Sequence, residues 1–417
     1  MYGVIFMKKF ILEIFILLPL LSLRSQSFLL EKITFYGNMR TKNRIILQEL
    51  NLKKGEYFTE AFLRKERAWL LRQDFFKRIE FQTKPGSTLN SRILMVVVQE
   101  KGVWSVTPIL SNNDLFGWYT GAHFTAQNLF GRKNSICATF QIGGIQKFAL
   151  NWNNPWFGGK LHLFLGVNLS YTSFKYLYGD YFPHFREKVT KASFTFGKEI
   201  GRKLKLGIKT NKEKIWIGDT SVTYSKTHFD EVTAFEYFTT FDSRDWPLYP
   251  KTGLYLKSWI NWFSFSEKNR FNYTGLDLHI YSPVYHDNII ALQTFLQISH
   301  GKVPVYKRIH LGGGKTIRGY STGCFSGENS FLMSLEYRFP IFYERNPLAG
   351  IHVGYVGVLF IDTGAAWFQR QKFRYSMLSS SFGLGFHIIW DHWVLRAEYG
   401  NHGKGWGFIN LGSGIKF

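Results

Sequence analysis

The sequence predicts a mostly β protein: a transmembrane antiparallel β-barrel preceded by one small α/β domain. Three observations predict it. Long stretches after Val103 alternate apolar and polar residues with period two, the pattern of strands with one greasy and one wet face. The composition is 18% aromatic with 39 glycines, which suits interfacial girdles and tight strand turns, although a large soluble β protein could share it. Beyond Leu30 no apolar run approaches the ~20 residues that a helical membrane span needs.

The chain opens with Lys8 and Lys9, then FILEIFILLPLLSL (Phe10–Leu23), then RSQS. A basic region, an apolar region and a small-polar zone near Ser25–Ser27 predict a signal peptide over residues 1–26, with Met7 as an alternative start. Glu13 and Pro19 interrupt the apolar run, which is short for a membrane anchor.

Residues 27–101 have their own rhythm. Lys32–Tyr36 (KITFY) is strand-like, and Gly37-Asn38 turns the chain. Thr41 is positioned to cap a helix carrying Ile45, Ile46, Glu49 and Leu50, and Lys54-Gly55-Glu56 breaks it. Thr59 is positioned to cap a second helix whose apolar stripe is Phe62, Leu63, Trp69 and Leu70. Two strands follow, Lys77–Thr83 and Ser91–Glu100, joined across Pro85-Gly86. The predicted order is β-α-α-β-β, a small sheet backed by two helices.

From Ile33 to Lys101 this stretch resembles a POTRA domain, the periplasmic module of BamA/TamA-type outer-membrane assembly factors. The resemblance rests on FYGN, the threonine before the first helix, the KKGE break and the FFKRI entry to a strand. In that family the module binds unfolded client chains or partner subunits, partly by adding strands to its sheet edge.

The remaining residues, 102–417, are predicted to form the barrel. In Ser330–Phe339, Phe331, Met333, Leu335, Tyr337 and Phe339 share one face, with Leu332, Ser334, Glu336 and Arg338 opposite. A soluble sandwich would bury the apolar face against a second sheet, whereas a barrel turns it to lipid and keeps the charges in a wet lumen. Val394–Asn401 repeats the logic, with Leu395, Ala397 and Tyr399 opposite Arg396 and Glu398. The last segment places Ile409, Leu411, Ser413, Ile415 and Phe417 on one face. A chain ending this way resembles the terminal strand signal of bacterial outer-membrane barrels, and Leu411, Ile415 and Phe417 are expected on the lipid face. At roughly ten residues per strand, fourteen, sixteen or eighteen strands fit the length; the family implies sixteen.

Leu311–Ser321 reads LGGGKTIRGYS. A phosphate-binding loop needs G-x-x-x-x-G-K-S/T after a strand and opening a helix. Gly314, Lys315 and Thr316 match its end, but Ile309 stands where the first glycine belongs, and no helical spacing follows. The stretch instead resembles the lumen-entering loop of BamA-type barrels, whose tip here is Ile317, Arg318, Gly319 and Tyr320. A returning loop must turn without clashes, which glycine allows, and a buried arginine must meet acids. Glu336, and Asp362 in FIDTGAAW (Phe360–Trp367), are predicted to face inward, and the resemblance implies that both hold Arg318. DSRDWPLYPKTG (Asp242–Gly253) and NLFGRKN (Asn128–Asn134) resemble further strand and hairpin motifs of the family. A single POTRA, where bacterial assembly factors usually carry several, and the loop Lys175–Glu187 depart from the pattern.

Formal charge is +23, which suits acidic partners. It is spread along the chain with no polybasic run or arginine-rich helix, so no nucleic acid is expected; outer-membrane lipid or lipopolysaccharide is. Cys137 and Cys324 read as isolated thiols. No G-x-S-x-G or H-E-x-x-H occurs, and the 12 histidines have no ligand spacing, so no enzyme, metal or cofactor is expected. The resemblance implies an outer-membrane protein of a Gram-negative-type bacterium, with its POTRA domain in the periplasm. It would assist insertion, assembly or translocation of unfolded outer-membrane or secreted clients, with periplasmic accessory subunits as possible partners. A dedicated two-partner-type secretion pore and a passive binding or anchoring barrel are the alternatives.

Overall fold

The protein's computed structural model describes residues 26–73, 75–113, 116–175, 186–266, 268–346, 351–390 and 393–417. The expected signal peptide and most of the Lys175–Glu187 loop therefore lie outside the described residues. The chain divides into two units, one of residues up to Asn38 with Ile46–Gln99 and one of Met39–Ile45 with Glu100–Phe417.

The first unit is built on a four-stranded sheet. Its elements are β1 (Phe28–Tyr36), α1 (Asn43–Glu49), β2 (Tyr57–Phe58), α2 (Glu60–Arg72), β3 (Phe76–Pro85) and β4 (Ser91–Glu100), with strand order β2-β1-β4-β3. The added β2 is two residues long and pairs antiparallel with β1, made possible by the left-handed turn at Gly55 (φ 86°). Thr59 caps α2 as expected, its hydroxyl accepting from Phe62 N at 3.2 Å. Helix α1 begins two residues after Thr41, at Asn43, and the Thr41 N–H donates to Glu100 Oε1 at 2.6 Å. Leu63 and Leu70 of α2 pack with Leu30, Ile79, Leu94 and Val96 in one core, each buried side chain contributing about 1.5–3 kcal/mol.

The second unit is a sixteen-stranded antiparallel barrel. Its first eleven strands are β5 (Trp104–Asn113), β6 (Gly117–Leu129), β7 (Asn134–Gly143), β8 (Ile145–Phe157), β9 (Leu163–Lys175), β10 (Arg186–Ile200), β11 (Leu204–Ile217), β12 (Phe229–Asp242), β13 (Gly253–Phe265), β14 (Arg270–Pro283) and β15 (Ile289–Gly301). The loop that follows carries a small ribbon, β16 (Ile309–Leu311) with β17 (Phe325–Gly327). Five strands complete the sheet: β18 (Asn329–Asn346), β19 (Ile351–Trp367), β20 (Ser379–Trp390), β21 (Trp393–Asn401) and β22 (Phe408–Ser413). Each barrel strand pairs with its sequence neighbour, and β15 pairs directly with β18.

Alternation sorts the faces as predicted. In β18 Leu332, Ser334, Glu336 and Arg338 are buried, while Met333, Leu335 and Tyr337 are exposed. An apolar face turned outward around a sixteen-stranded sheet has only lipid to cover it. The sheet has two edges, β5 and β22. They approach one another, and Ser111 Oγ donates to Leu411 O across the seam at 3.0 Å.

Candidate functional site: a buried arginine nest in the barrel

The GGGKT turn closes on itself. Gly312 N donates to Thr316 Oγ1 at 2.7 Å, Gly313 N to Tyr320 O at 2.9 Å and Thr316 N to Gly313 O at 3.1 Å. Three of the N–H groups that a phosphate would need are occupied within the turn. Gly312 (φ 113°) and Gly313 (φ 83°) adopt conformations that favour glycine, which explains their place in the sequence.

The turn delivers Ile317–Tyr320 to the inner wall of β18–β21. Ile317 is fully buried with Leu311 and Leu332. Gly319 (φ 92°) lies against Gly400 of β21, and a Cβ at Gly400 would sit 2.5 Å from Gly319 N. Two glycines thus let one backbone rest on another. Tyr320 donates its hydroxyl to Ser380 O at 3.2 Å and stacks on His402 at 4.6 Å.

That approach places Arg318, which is 0% exposed, among three acids. Its Nε and Nη2 donate to Asp362 Oδ2 and Oδ1 at 2.8 and 2.9 Å, a bidentate fork. Nη1 donates to Glu336 Oε1 at 2.7 Å and Glu398 Oε1 at 2.8 Å, and Nη2 also reaches Ser334 Oγ at 3.2 Å. All five guanidinium N–H groups have acceptors, and the backbone N–H adds a bond to Asp362 Oδ2 at 3.0 Å. Beneath the guanidinium lies the Phe360 ring, 3.5 Å from its centroid, a cation–π contact in a desolvated setting.

The structure therefore brings Arg318, Glu336 and Asp362 together and adds Glu398, which carried the right inward parity in VLRAEYGN. A second shell of cations then faces the acids. Arg338 Nε donates to Glu336 Oε2 at 2.8 Å, Arg396 Nη1 to Glu398 Oε2 at 2.7 Å and Lys416 Nζ to Asp362 Oδ1 at 2.7 Å. From the β12–β13 turn, Tyr249 lines its hydroxyl up with His387 Nδ1 at 3.1 Å, and His387 Nε2 lies 3.1 Å from Glu398 Oε1. Tyr249 belongs to the DSRDWPLYPKTG motif, in which Pro250 lies between β12 and β13 and Gly253 (φ 111°) opens β13.

Lys416 arrives by a route that the sequence pattern misses. Leu411 is exposed on the outer face, as expected, but Ile415 and Phe417 are not. At Gly414 (φ 78°) the chain leaves the strand, fixed by Arg396 Nε to Gly414 O at 2.6 Å and by Gly414 N to Val394 O at 2.8 Å. Ile415 packs beside Tyr249, Val356 and Val394. Phe417 is 4% exposed in a cluster with Tyr281 and Ala291. One left-handed glycine resets the alternation, so a lipid-face expectation becomes an interior contact.

A sixteen-stranded sheet that follows a small α/β domain in sequence has counterparts. An Omp85 superfamily domain model matches residues 128–404, and a POTRA model, described as a surface antigen variable number repeat, matches residues 28–101. The chain belongs to the Omp85 superfamily. It is 22% identical over 406 residues to the outer membrane protein assembly factor BamA of Nitratidesulfovibrio vulgaris, covering 90% of this chain but 49% of that relative. It thus spans about half the relative's length. BamA of Haemophilus ducreyi lacking POTRA domains 1–3 has a similar fold, with a TM-score of 0.62 at 14% identity, covering 93% of this chain and 84% of that one. CdiB of Escherichia coli gives 0.66 at 11% identity, covering 93% and 76%. The Omp85 chain described here is therefore an outer-membrane β-barrel with a POTRA domain. Its nest can lock a loop, a turn and the last strand to one wall.

Proposed function

We propose that this Omp85 protein assists the insertion and assembly of other proteins at the outer membrane, with its POTRA domain facing the periplasm. The observation that carries this reading is the seam. The β10–β11 ladder joins fourteen residue pairs, whereas β21 and β22 share six, and among the described residues β22 has no ladder with β5. A six-residue strand at an unpaired edge is cheap to peel and presents free N–H and C=O groups to an incoming strand. In the POTRA sheet, β3 likewise has a partner on one side only, which offers clients or accessory subunits a second edge. The nest holds the loop to β18–β21 while the seam opens beside it. No nucleotide is required, because client folding releases the free energy.

The name of the Nitratidesulfovibrio relative supports assembly; the half-length match leaves translocation of a dedicated partner as the variant to be separated. Depleting the protein and measuring surface levels of other barrels tests the reading. An assembly factor lowers many of them, a dedicated pore lowers one exported protein, and an anchor lowers none. Oxidative closure of the seam, through cysteines at Ser111 and at Leu411 or Gly412 with Cys137 and Cys324 replaced, should reproduce the depletion. Full activity with the seam covalently closed would defeat the proposal.

A further inference from the structure

The wall opposite the nest carries charges where a barrel ordinarily has none. In β11, Glu213 faces the interior and pairs with Lys191 at 2.8 Å and with Lys307 of the long loop. Parity then puts Lys212 and Lys214 on the lipid face, with Ala192 and Thr190 as their partners on β10 and with Thr233 and Glu231 on β12. Lys188 shares that face and lies 4.7 Å from the Trp216 ring, while Lys214 lies 4.6 Å from that of Phe229. Lys212 has no ion-pair partner among the described residues. Three outward lysines thus face one outward acid, Glu231, in a setting where an uncompensated lysine is unfavourable.

The same patch is concave. A groove of about 710 Å³ runs across β8–β11. Small residues, Thr190 and Ala192, form its floor; Phe148, Leu150, Leu169 and Tyr171 form an apolar side, and Lys212 and Lys214 the other. Phe148, Leu150 and Leu169 are 45%, 48% and 51% exposed, so none of the described residues covers them. Lys214 stands three residues from the end of β11, about 10 Å along the strand from the rim that bears the long loops. By the general orientation of such barrels, that rim belongs to the outer leaflet.

We propose that this groove binds one phosphate-bearing acylated lipid of the outer leaflet. An acyl chain lies along Phe148, Leu150 and Leu169, and the phosphate sits against Lys212 and Lys214. The charge count favours an anionic headgroup, since the groove's two outward lysines, Lys212 and Lys214, exceed its one outward acid, Glu231, by one. The groove's position on a membrane-facing wall favours a lipid over any soluble anion. This site is independent of the assembly reading: it requires only a barrel in a bilayer.

The test uses the full chain purified in detergent micelles and titrated with bisphosphorylated lipid A, phosphatidylglycerol or phosphatidylcholine, with retained copies counted by native mass spectrometry. One copy of a phosphate-bearing lipid should be retained, and phosphatidylcholine should not compete. The paired substitution Lys212→Gln/Lys214→Gln should weaken retention roughly tenfold or more, since each lysine near a membrane surface attracts anionic lipid. Ala192→Trp should block it by filling the floor, and Lys198→Gln, an outward lysine near the opposite rim, should leave it unchanged. Heat-modifiable migration on gels checks that each variant is folded. Equal retention by the double-lysine variant, or displacement by phosphatidylcholine, would overturn the assignment.

Discussion

The two walls of this barrel obey one alternation rule and sort their charges in opposite senses. Over β18–β21 the outward face carries apolar residues such as Leu335, Ile361 and Leu384. Its charges are gathered inside, where Glu336, Asp362 and Glu398 meet Arg318, Arg338, Arg396 and Lys416. Over β10–β12 the interior also holds charge, but Lys188, Lys212 and Lys214 stand outside toward one rim and Lys198 toward the other. Burial makes the first set interdependent, because each ion relies on its neighbours for solvation. Exposure to headgroups leaves the second set independent of the fold. The same residue type should therefore matter greatly on one wall and little on the other.

Arg318→Ala tests the first half of that contrast most severely. It strips three buried carboxylates of their shared cation, and breaking such a cluster costs about 3–5 kcal/mol. The urea midpoint of the folded barrel in lipid vesicles should fall accordingly, and client assembly should fail even where folded barrel remains. Arg318→Lys should not restore function, because a single ammonium cannot fill five N–H positions. A midpoint within experimental error of the parent would show that the nest is ornamental.

Next in size is the glycine contact. A Cβ at Gly400 meets the backbone of residues 318 and 319 at 2.5–2.7 Å, so Gly400→Ala should push the loop tip off the wall at about 1–3 kcal/mol. If the loop is held chiefly by Arg318's ionic contacts, the tip will shift but stay bound, and cysteine accessibility at Tyr320→Cys will rise only slightly. If backbone proximity is what seats the arginine, accessibility will rise as far as it does in Arg318→Ala.

Much of this arrangement could be read from the residues, and the exceptions have physical causes. Strand alternation is local, so the inward parity of Glu336, Asp362 and even Glu398 was available. Height along the barrel is set by register across many strands, and nothing in VLRAEYGN says that Glu398 lies level with Arg318. Tyr249 reaches His387 from a turn 138 residues away, a contact that no periodicity encodes. Lys416 had the correct inward parity, but Phe417 did not, because the left-handed backbone at Gly414 breaks the period. Gly414 was visible in the sequence; its φ was not. The Thr41 N–H is held by Glu100, a partner 59 residues later that local helix signals could not name.

The finest comparison makes one chemical change on each wall. Lys416→Met removes a fully buried ammonium from Asp362 and Ser334, but Asp362 keeps three N–H donors from Arg318, so the loss should be about 1.5 kcal/mol, the low end for a hydrogen bond to a charged group. Lys212→Met removes an ammonium that touches no acid of this chain, and the midpoint should move by less than about 0.5 kcal/mol. Placing an apolar side chain on a lipid-facing position removes an unfavourable charge, so any movement should be toward stability. The sign separates the walls even where the magnitudes are close. A lysine inside is a partner of the fold, and losing it destabilises. A lysine outside is kept for something other than the fold, and losing it does not. Equal destabilisation by both substitutions would mean that the outer lysines are structural after all, and that the contrast between the walls is one of appearance.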